Sequence, residues 1–290
     1  MMTQPSVIGI DAGATRCKGA LRINSKRFDV SFQGANANTD PSGALASVVQ
    51  VLHLLAQEAG VCIEDMAPIP TYIAQAGITG RDQARQMRAD LPLAHVVIEE
   101  DKRASVQDAL GDADGYVAMI GTGSFLAHKQ GGTLRYLGGY GLILGDEASG
   151  AWAGREALTR ALRANEGLYA DDLFLKKLRE RMGGPQAIMQ FAARATPAEF
   201  AELFRVLLDE GTSPSAREIL RLGARYITKG FRLLGWQEGE RLCLNGGVGP
   251  SYTKILPEEM RICLSAPCSI APDGALALAA RVAEGWQGWE

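Results

Sequence analysis

The sequence predicts an α/β fold made of two duplicated lobes, each with the element order βββαβαβα, and a cleft between the lobes. Three observations lead to this prediction. A strand, a glycine-containing turn and a hairpin open the chain at 6–32, and the same series recurs at 116–137. Alternating strand and helix patterns follow both openings. A long helical stretch, about 155–235, interrupts only the second series and is predicted to be an insert.

The first lobe begins with short apolar runs separated by turn residues, which predict a three-stranded antiparallel meander. The helix after it is indicated by apolar residues at helical spacing, beginning with Leu45 and ending with Leu55. The predicted elements are strands at 6–10, 18–23 and 26–32, a helix at 42–59, a strand at 71–76, a helix at 82–90, a strand at 95–98, and a helix beginning near Asp101.

The second lobe repeats this order once the insert is set aside. Its predicted elements are strands at 116–120, 125–129 and 133–137, a helix from about 148, a strand at 241–245, a helix from about 249, a strand at 260–264, and a closing helix from about 273. We therefore expect an N-terminal lobe at 1–115, completed by the closing helix at 273–290, and a C-terminal lobe at 116–272.

Composition narrows the classes of function. The 290 residues are 47% hydrophobic and 22% charged, which is typical of a globular protein, and the formal net charge is −3. A mildly acidic chain has no basic field for nucleic acid or anionic lipid. Because the sequence contains neither a membrane-spanning apolar run nor a signal-peptide pattern, we expect a cytoplasmic protein. Five scattered cysteines predict reduced thiols, most of them buried.

Two glycine turns are the strongest candidates for phosphate binding. The sequence lacks both the P-loop and the Rossmann glycine pattern, so a nucleotide site must be built differently. The turns 11–15 and 121–124 each follow an apolar strand and precede another, at equivalent places in the two lobes. Small residues there expose backbone N–H groups to phosphate oxygens. Asp11 would add a carboxylate that holds Mg²⁺ through water.

Six glycine-rich or acidic segments follow one another along the chain: IGIDAGAT at 8–15, GTGS at 121–124, GGYG at 138–141, GDEASG at 145–150, NGGV at 245–248, and GAL at 274–276. In residues and order they resemble the N-acetylglucosamine kinase and BadF-type ATPase family, within the sugar kinase, heat-shock ATPase and actin superfamily. The resemblance covers nearly the whole chain, and the length and spacing are most similar to bacterial glucosamine kinases. The resemblance implies ribonuclease-H-like lobes and a kinase that uses ATP and Mg²⁺.

The resemblance also implies roles for individual residues. The predicted ATP-binding residues are Gly13, Ala14, Thr15, Lys18, Gly121, Thr122, Gly123, Gly246, Gly247 and Ala275. The predicted sugar-binding residues are Ser124, Gly139, Asp146, and either Asn36 or Asn38, because the spacing is ambiguous by two. Three departures from the family pattern affect loop geometry: Ala14 replaces a glycine, Tyr140 a tryptophan, and Ala148 a glycine.

Asp101 aligns with the family's catalytic aspartate. Phosphoryl transfer to a hydroxyl needs one carboxylate beside the acceptor to take its proton. The alternative for Asp101 is a helix N-cap, a position that aspartate favours. For Asp146, the alternative to a sugar contact is a solvated loop residue.

Other classes of function fit less well. Three histidines without a G-x-S-x-G turn argue against a serine hydrolase, and the cysteines lack the spacing of a zinc site. An ATP-driven activator, or a sugar-binding regulator without kinase activity, remains the alternative. The resemblance implies that the acceptor is the 6-hydroxyl of a hexosamine, with glucosamine favoured over N-acetylglucosamine.

The sequence does not define the oligomeric state, for which a homodimer is one candidate.

Overall fold

The computed structural model describes residues 5–289, which fall into two compact units. The first unit comprises the chain up to Asp112 together with the residues from Pro267 onward, and the second is Ala113–Ala266. The chain therefore returns to the first unit at 267, six residues before the closing helix that the sequence analysis assigned to it. Each unit contains one mixed β-sheet.

The first unit has a five-stranded sheet in the order β3-β2-β1-β4-β5. Strands β1 to β3 form the antiparallel meander, and β4 and β5 extend the sheet in parallel to β1. The strands are β1 Val7–Ala12, β2 Arg16–Ile23, β3 Lys26–Gln33, β4 Thr71–Gln75 and β5 Val96–Glu99. The helices are α1 Pro41–Ala59, α2 Ile63–Met66, α3 Arg81–Ala89, α4 Lys102–Leu110 and α11 Asp273–Ala283.

Two glycines allow helices to lie close against this sheet. A Cβ on Gly19 would be 2.4 Å from Val51 of α1, and a Cβ on Gly9 would be 2.2 Å from the backbone nitrogen of Leu276 in α11. Neither contact leaves room for a side chain. The apolar face of α1 buries Val48, Val51, Leu52 and Leu55.

The second unit repeats the sheet order as β8-β7-β6-β9, with three antiparallel strands and one parallel strand. The predicted duplication is therefore confirmed in the strand order. The strands are β6 Gly115–Ile120, β7 Ser124–Gln130, β8 Thr133–Gly138 and β9 Leu242–Asn245. Between β8 and β9 lie the helices α5 Gly150–Asn165, α6 Leu173–Met182, α7 Pro185–Ala192, α8 Pro197–Asp209 and α9 Pro214–Leu234.

The long helical stretch is confirmed as separate helices, of which α9 packs on strands β7 and β8. α9 is amphipathic and places Ile219, Ile227 and Phe231 in the core of the second unit with Leu126 of β7. Three of the later helices begin with proline after a Thr, Ser or Gly cap, which is a favoured start because the first N–H groups of a helix have no internal partner.

The predicted strand at 260–264 is wrong. Residues Glu258–Arg261 form a short helix, α10, after a 3-10 turn at Gly249–Tyr252, and only Leu264 bridges Leu242 of β9. The second sheet thus lacks a regular counterpart of β5.

The prediction that most cysteines are buried is also wrong. None of the five forms a disulfide, and only Cys17 and Cys243 are buried, whereas Cys263 is partly exposed and Cys62 and Cys268 are exposed. None of the helices in the described range combines the length and apolar character that spanning a bilayer requires.

Candidate active site

The parallel strands of the first sheet end at one edge, where two carboxylates lie. Asp11 of β1 pairs in register with Ala74 of β4, and Ala74 pairs with Glu99 of β5. Asp101 comes two residues after Glu99, immediately before α4. Ligands of open α/β sheets bind at the carboxyl ends of such strands. This edge is therefore the candidate reaction centre of the first unit.

Asp11 is partly buried, and its environment disfavours the charged form. Burial, reinforced by the charges of Asp101 and Asp108, raises the pKa of Asp11 to about 7, while Lys18 acts in the opposite direction. Lys18 lies directly across the antiparallel ladder from Asp11. A carboxyl group with two acidic neighbours and one lysine is a site where added positive charge would be stabilising.

Asp101 stands at the N-cap position of α4 but does not cap the helix. Its side chain accepts no capping hydrogen bond, and its backbone φ of −65° and ψ of −12° are already helical. Burial, together with the charge of Glu100, raises the pKa of Asp101 to about 6, and Lys102 lowers it. The capping explanation for this residue therefore fails, and its carboxylate is left for another role.

Asp108 is a carboxylate of this region that the sequence analysis missed. It is buried within α4, and its Oδ1 accepts hydrogen bonds from the backbone N–H of Gly274 at 2.6 Å and from the hydroxyl of Ser269 at 3.0 Å. These bonds tie α4 to the segment that returns from the second unit. No local sequence pattern indicated this role, because the partners are more than 160 positions away.

The turn that follows β1 is more open than the strands. Gly13 is partly buried and Ala14 and Thr15 are exposed, so the backbone there is accessible. Asn36 is partly buried and its Oδ1 accepts the backbone N–H of Asn38 at 2.9 Å, whereas Asn38 is exposed. The Asn36 oxygen is thus engaged in a local turn.

In the second unit the corresponding edge carries glycines. Met119 of β6 pairs with Asn245 of β9, so Gly121 and Gly247, each two residues further on, follow the same edge. A Cβ on either would meet no atom within 4 Å, and neither has a left-handed φ. Neither packing nor backbone conformation requires glycine at these two positions, and both leave open space in which a ligand could approach the backbone.

Gly246 differs from its neighbour. Its φ is +84°, and a Cβ would be 2.5 Å from the carbonyl oxygen of Ile120, so the fold itself requires glycine here. Thr122 is exposed, and its carbonyl accepts the N–H of Ala151 at the start of α5.

The loop before α5 brings the predicted sugar-binding residues of this unit together. Ser124 donates to the carbonyl oxygen of Glu147 at 2.7 Å. Asp146 is buried, and a Cβ on Gly123 would be 2.8 Å from its Oδ2, so the carboxylate fills the space that the glycine leaves. Gly139 lies in the partly exposed bend after β8, with φ of +78°.

Two features of this loop have structural causes that only the fold shows. Ala148 has a φ of +71°, which explains why glycine is the usual residue there in the resembling family. Tyr226 of α9 also reaches this loop. Its hydroxyl oxygen lies 2.4 Å from the position that a Cβ on Gly138 would occupy. Burial and the acidic Glu147 and Asp146 raise the pKa of Tyr226 to about 12. Tyr226 therefore belongs to the same cluster as Asp146.

Ala275 packs inside the first unit. Its side chain is fully buried in a cluster with Ala20 and Ala104, and its backbone packs against Gly9. The position gives it a packing role between α11 and β1, and its role in ATP binding stays a prediction.

The donor groups fit Mg²⁺ only through water. Within residues 5–289, no three acidic, histidine or cysteine side chains converge closely enough to ligate a metal. Asp11, with its raised pKa and acidic neighbours, can still hold a hydrated cation, since Mg²⁺ keeps several waters. The bare glycines at 121 and 247 fit backbone contacts to a nucleotide.

The chain is similar to a known protein family and to a glucosamine kinase. The model of the BadF/BadG/BcrA/BcrD ATPase family matches residues 8–197. The glucosamine kinase GspK of Vibrio cholerae serotype O1 is 23% identical over 283 residues, which cover 94% of this chain and 95% of that protein.

Solved structures show the same fold over nearly the full length. A Chromobacterium violaceum protein assigned provisionally as an N-acetylglucosamine kinase has 27% identity and a TM-score of 0.86, over 95% of this chain and 99% of that one. A Porphyromonas gingivalis protein with the same provisional assignment has 17% identity and a TM-score of 0.66, over 94% and 98%.

Proposed function

The chain belongs to the BadF/BadG/BcrA/BcrD ATPase family, and on that premise we propose that it is an ATP-dependent amino-sugar kinase. The reaction would transfer the γ-phosphoryl group of ATP to the 6-hydroxyl of a hexosamine. The observation that carries the proposal is Asp101, a carboxylate at the carboxyl edge of parallel strands that stands at a helix start without capping it. The near full-length similarity to a glucosamine kinase supports the substrate class.

Asp101 acts as the general base. A base is most effective when its pKa lies near the working pH, because it is then both ionised and able to hold a proton. A pKa of about 6 meets this condition, whereas an ordinary exposed aspartate would be a weak base at pH 7. The carboxylate accepts the proton of the sugar hydroxyl as the oxygen attacks phosphorus, and the enzyme otherwise positions the reactants.

Asp11, Lys18 and the turn 13–15 serve the phosphates in the first unit. Asp11 would hold the waters of a bound Mg²⁺, and Lys18 would balance the negative charge of Asp11. When bound, Mg²⁺ neutralises the negative charge that develops on the transferred phosphoryl group. The backbone N–H groups of Gly13 and Thr15 would donate to phosphate oxygens, and the side chain of Ala14 leaves this contact open.

Backbone groups of the second unit serve the rest of ATP. Gly121, Thr122 and Gly123 would approach the phosphates, and Gly247 would lie against the adenosine, with Gly246 fixing the turn beneath it. This assignment rests on the empty space around Gly121 and Gly247 at the ends of neighbouring parallel strands.

The acidic loop of the second unit favours an amino sugar with a free amino group. Asp146 and Glu147 are adjacent carboxylates beside the Tyr226 hydroxyl, and Ser124 fixes the loop through the Glu147 carbonyl. A protonated amino group at C2 would be attracted to this cluster, whereas an acetylated one carries no charge. Glucosamine is therefore the proposed acceptor and N-acetylglucosamine the next candidate. Gly139 and either Asn36 or Asn38 are further proposed sugar contacts.

A panel of sugars tests the proposal. Glucosamine, N-acetylglucosamine, N-acetylmuramic acid and glucose are each supplied with ATP and Mg²⁺, and ADP release is followed by a coupled assay. We expect the highest kcat/KM for glucosamine. Equal or higher kcat/KM for N-acetylglucosamine overturns the substrate preference. ADP release that no sugar stimulates overturns the kinase assignment in favour of an ATP-driven activator or a sugar-binding regulator.

A further inference from the structure

The segment 284–289, which follows α11, crosses to the outer edge of the first sheet. β5 is the last strand of that sheet, so one side of its backbone has no neighbouring strand. Trp289 donates its indole Nε1–H to the carbonyl oxygen of Ile98 in β5 at 2.9 Å. Its backbone N–H donates to the Glu99 carboxylate, and its carbonyl accepts from Arg81 at 2.6 Å. The segment thus covers the edge of β5 at its final two residues.

The fit of this segment is tight where it reaches β5. Gly288 has a φ of +72°, and a Cβ there would be 2.5 Å from Cγ1 of Val97 and 3.2 Å from Oε1 of Glu99. Gly285, three residues earlier, also has a left-handed φ, +100°, but a Cβ would meet nothing within 4 Å. Contact with the strand therefore begins after Gly285.

Glu99 links the segment to the start of α4. It is 4% exposed, and it accepts the Tyr72 hydroxyl at 2.9 Å and pairs with Arg103 of α4 at 3.1 Å. Arg103 also lies over the ring of Trp286, with 5.2 Å from its guanidinium carbon to the ring centre. The residues on either side of Asp101 are thus bound, through Glu99 and Arg103, to residues 286–289.

The side chain of Asp101 makes no capping hydrogen bond, whereas its carbonyl oxygen accepts the backbone N–H of Ser105 in the first turn of α4. Its position depends on the end of β5 before it and the first turn of α4 after it. A displacement of about 1 Å at a reacting group can reduce a rate by 10²-fold. An element that holds the residues on both sides of Asp101 can therefore change the catalytic rate by positioning its carboxylate.

We propose that the segment 284–289 is a latch whose Gly288 and Trp289 position Asp101 for proton transfer. The proposal rests on the proposed function in one respect, the assignment of Asp101 as the base. The latch acts through Glu99 and the Ile98 carbonyl, so Trp289 is a positioning residue and does not touch the substrate.

Three variants test the latch. Gly288→Ala introduces the Cβ that collides with Val97, and Trp289→Ala removes the indole bond to Ile98. Gly285→Ala is the matched control, because it places alanine at a left-handed φ in the same segment without any collision. The intact protein is measured by amide hydrogen exchange over residues 97–104, and by steady-state kinetics with glucosamine, ATP and Mg²⁺.

We expect Gly288→Ala and Trp289→Ala to accelerate exchange at 97–104 by roughly 10-fold or more, while exchange in the second sheet is unchanged. kcat should fall roughly 10- to 100-fold with KM for the sugar within about twofold, since the pocket is intact and only the base is misplaced. The acid limb of the kcat profile should move to lower pH, because an Asp101 released into water loses the burial that raises its pKa. Gly285→Ala should change none of these.

Unchanged exchange at 97–104 in both variants would overturn the latch, since the segment would then not restrain β5. Faster exchange with unaltered kcat and an unaltered acid limb would overturn the positioning role. If the wild-type protein phosphorylates no sugar, the proposed function fails on its own, and the exchange data still decide whether the segment holds the residues around Asp101.

Discussion

The two units share one strand order but differ in what lies at the ends of the parallel strands. In the first unit the edge carries Asp11 and Asp101, and in the second it carries Gly121 and Gly247. The strand before Asp101 is β5, and the second unit has only the Leu264 bridge in its place. The two edges thus have similar strand geometry but different residues. Under the proposed function, the carboxylates of the first edge serve proton transfer and charge balance, and the glycines of the second edge allow close backbone approach.

The largest expected effect comes from removing the base at the acidic edge. Asp101→Asn keeps the shape of the side chain and a hydrogen-bonding group but cannot accept a proton. We expect kcat to fall by roughly 10²- to 10⁴-fold while KM for the sugar changes little, as measured by coupled ADP release.

Glu100→Gln is the control for charge at this edge. Glu100 is 40% exposed and pairs with Lys102, so its loss removes one negative charge beside Asp101 without removing the base. Glu99→Gln is a poorer control, because Glu99 is buried among Tyr72, Arg103 and Trp289. Near wild-type turnover in Asp101→Asn would end the assignment of the acidic edge as the reaction centre.

Substitutions at the glycine edge, formed by Gly121 and Gly247, should change nucleotide binding rather than proton transfer. Gly121→Ala adds a methyl group where the fold leaves open space, so the melting temperature should hardly change. If that space receives ATP, losing one backbone contact to a charged phosphate raises KM for ATP by roughly 10- to 100-fold. Steady-state kinetics and a melting curve measure both quantities.

Gly246→Ala is the companion variant, and it should give the opposite pattern. Its left-handed φ and the Ile120 carbonyl at 2.5 Å make alanine costly to the fold, by about 1–2 kcal/mol or more. A Gly121→Ala protein with unchanged KM for ATP would show that the open space is not a ligand site.

The acidic edge of the first unit should also make the stability of the protein depend on pH. The pKa of Asp11 is about 7 in the folded protein and near 3.8 in the unfolded chain, so the folded state binds this proton more tightly. Its contribution therefore destabilises the fold most at high pH, and the penalty shrinks as pH falls from 8 towards 4. Asp11→Asn should raise the melting temperature most at pH 8, in the absence of Mg²⁺.

Mg²⁺ supplies the control for this prediction. A hydrated cation beside Asp11 would offset the neighbouring charges, so the stability difference between wild type and Asp11→Asn at pH 8 should narrow when Mg²⁺ is added. If the stability difference between wild type and Asp11→Asn depended on neither pH nor Mg²⁺, the result would contradict a destabilising negative charge on Asp11.

The smallest effect concerns the loop of the second unit. Ala148 adopts a left-handed φ of +71°, so Ala148→Gly should relieve backbone strain, while the loss of its fully buried methyl group offsets part of the gain. The net stabilisation, measured by urea unfolding, should be at most about 1 kcal/mol. Ala151→Gly, in the first turn of α5, is the matched control and should destabilise by about 0.5–1 kcal/mol. Equal destabilisation by both variants would contradict backbone strain at Ala148.

The sequence by itself determined most of the fold and the candidate reaction centre. Strand and helix periodicity located the strands of both sheets and the helices α1, α3, α4 and α11, because burial on one face imposes a period of two or 3.6 residues. It did not divide the stretch 155–235 into its separate helices. The duplicated glycine turns indicated the repeated strand order, and the family resemblance pointed to Asp101. Periodicity and turn residues are local properties, so a sequence shows them directly.

Only the tertiary structure decided the contacts between distant segments. It replaced the predicted strand at 260–264 with a short helix and one bridge. It also buried Ala275 against β1, added Tyr226 to the acidic loop, and brought Trp289 to the end of β5. Each outcome depends on which surfaces pack together, and pairings between residues of different elements leave no periodic pattern in the sequence. The absence of a capping hydrogen bond at Asp101 is another outcome of this kind. Aspartate suits both a helix N-cap and a general base, so only the contacts of its side chain distinguish the two roles.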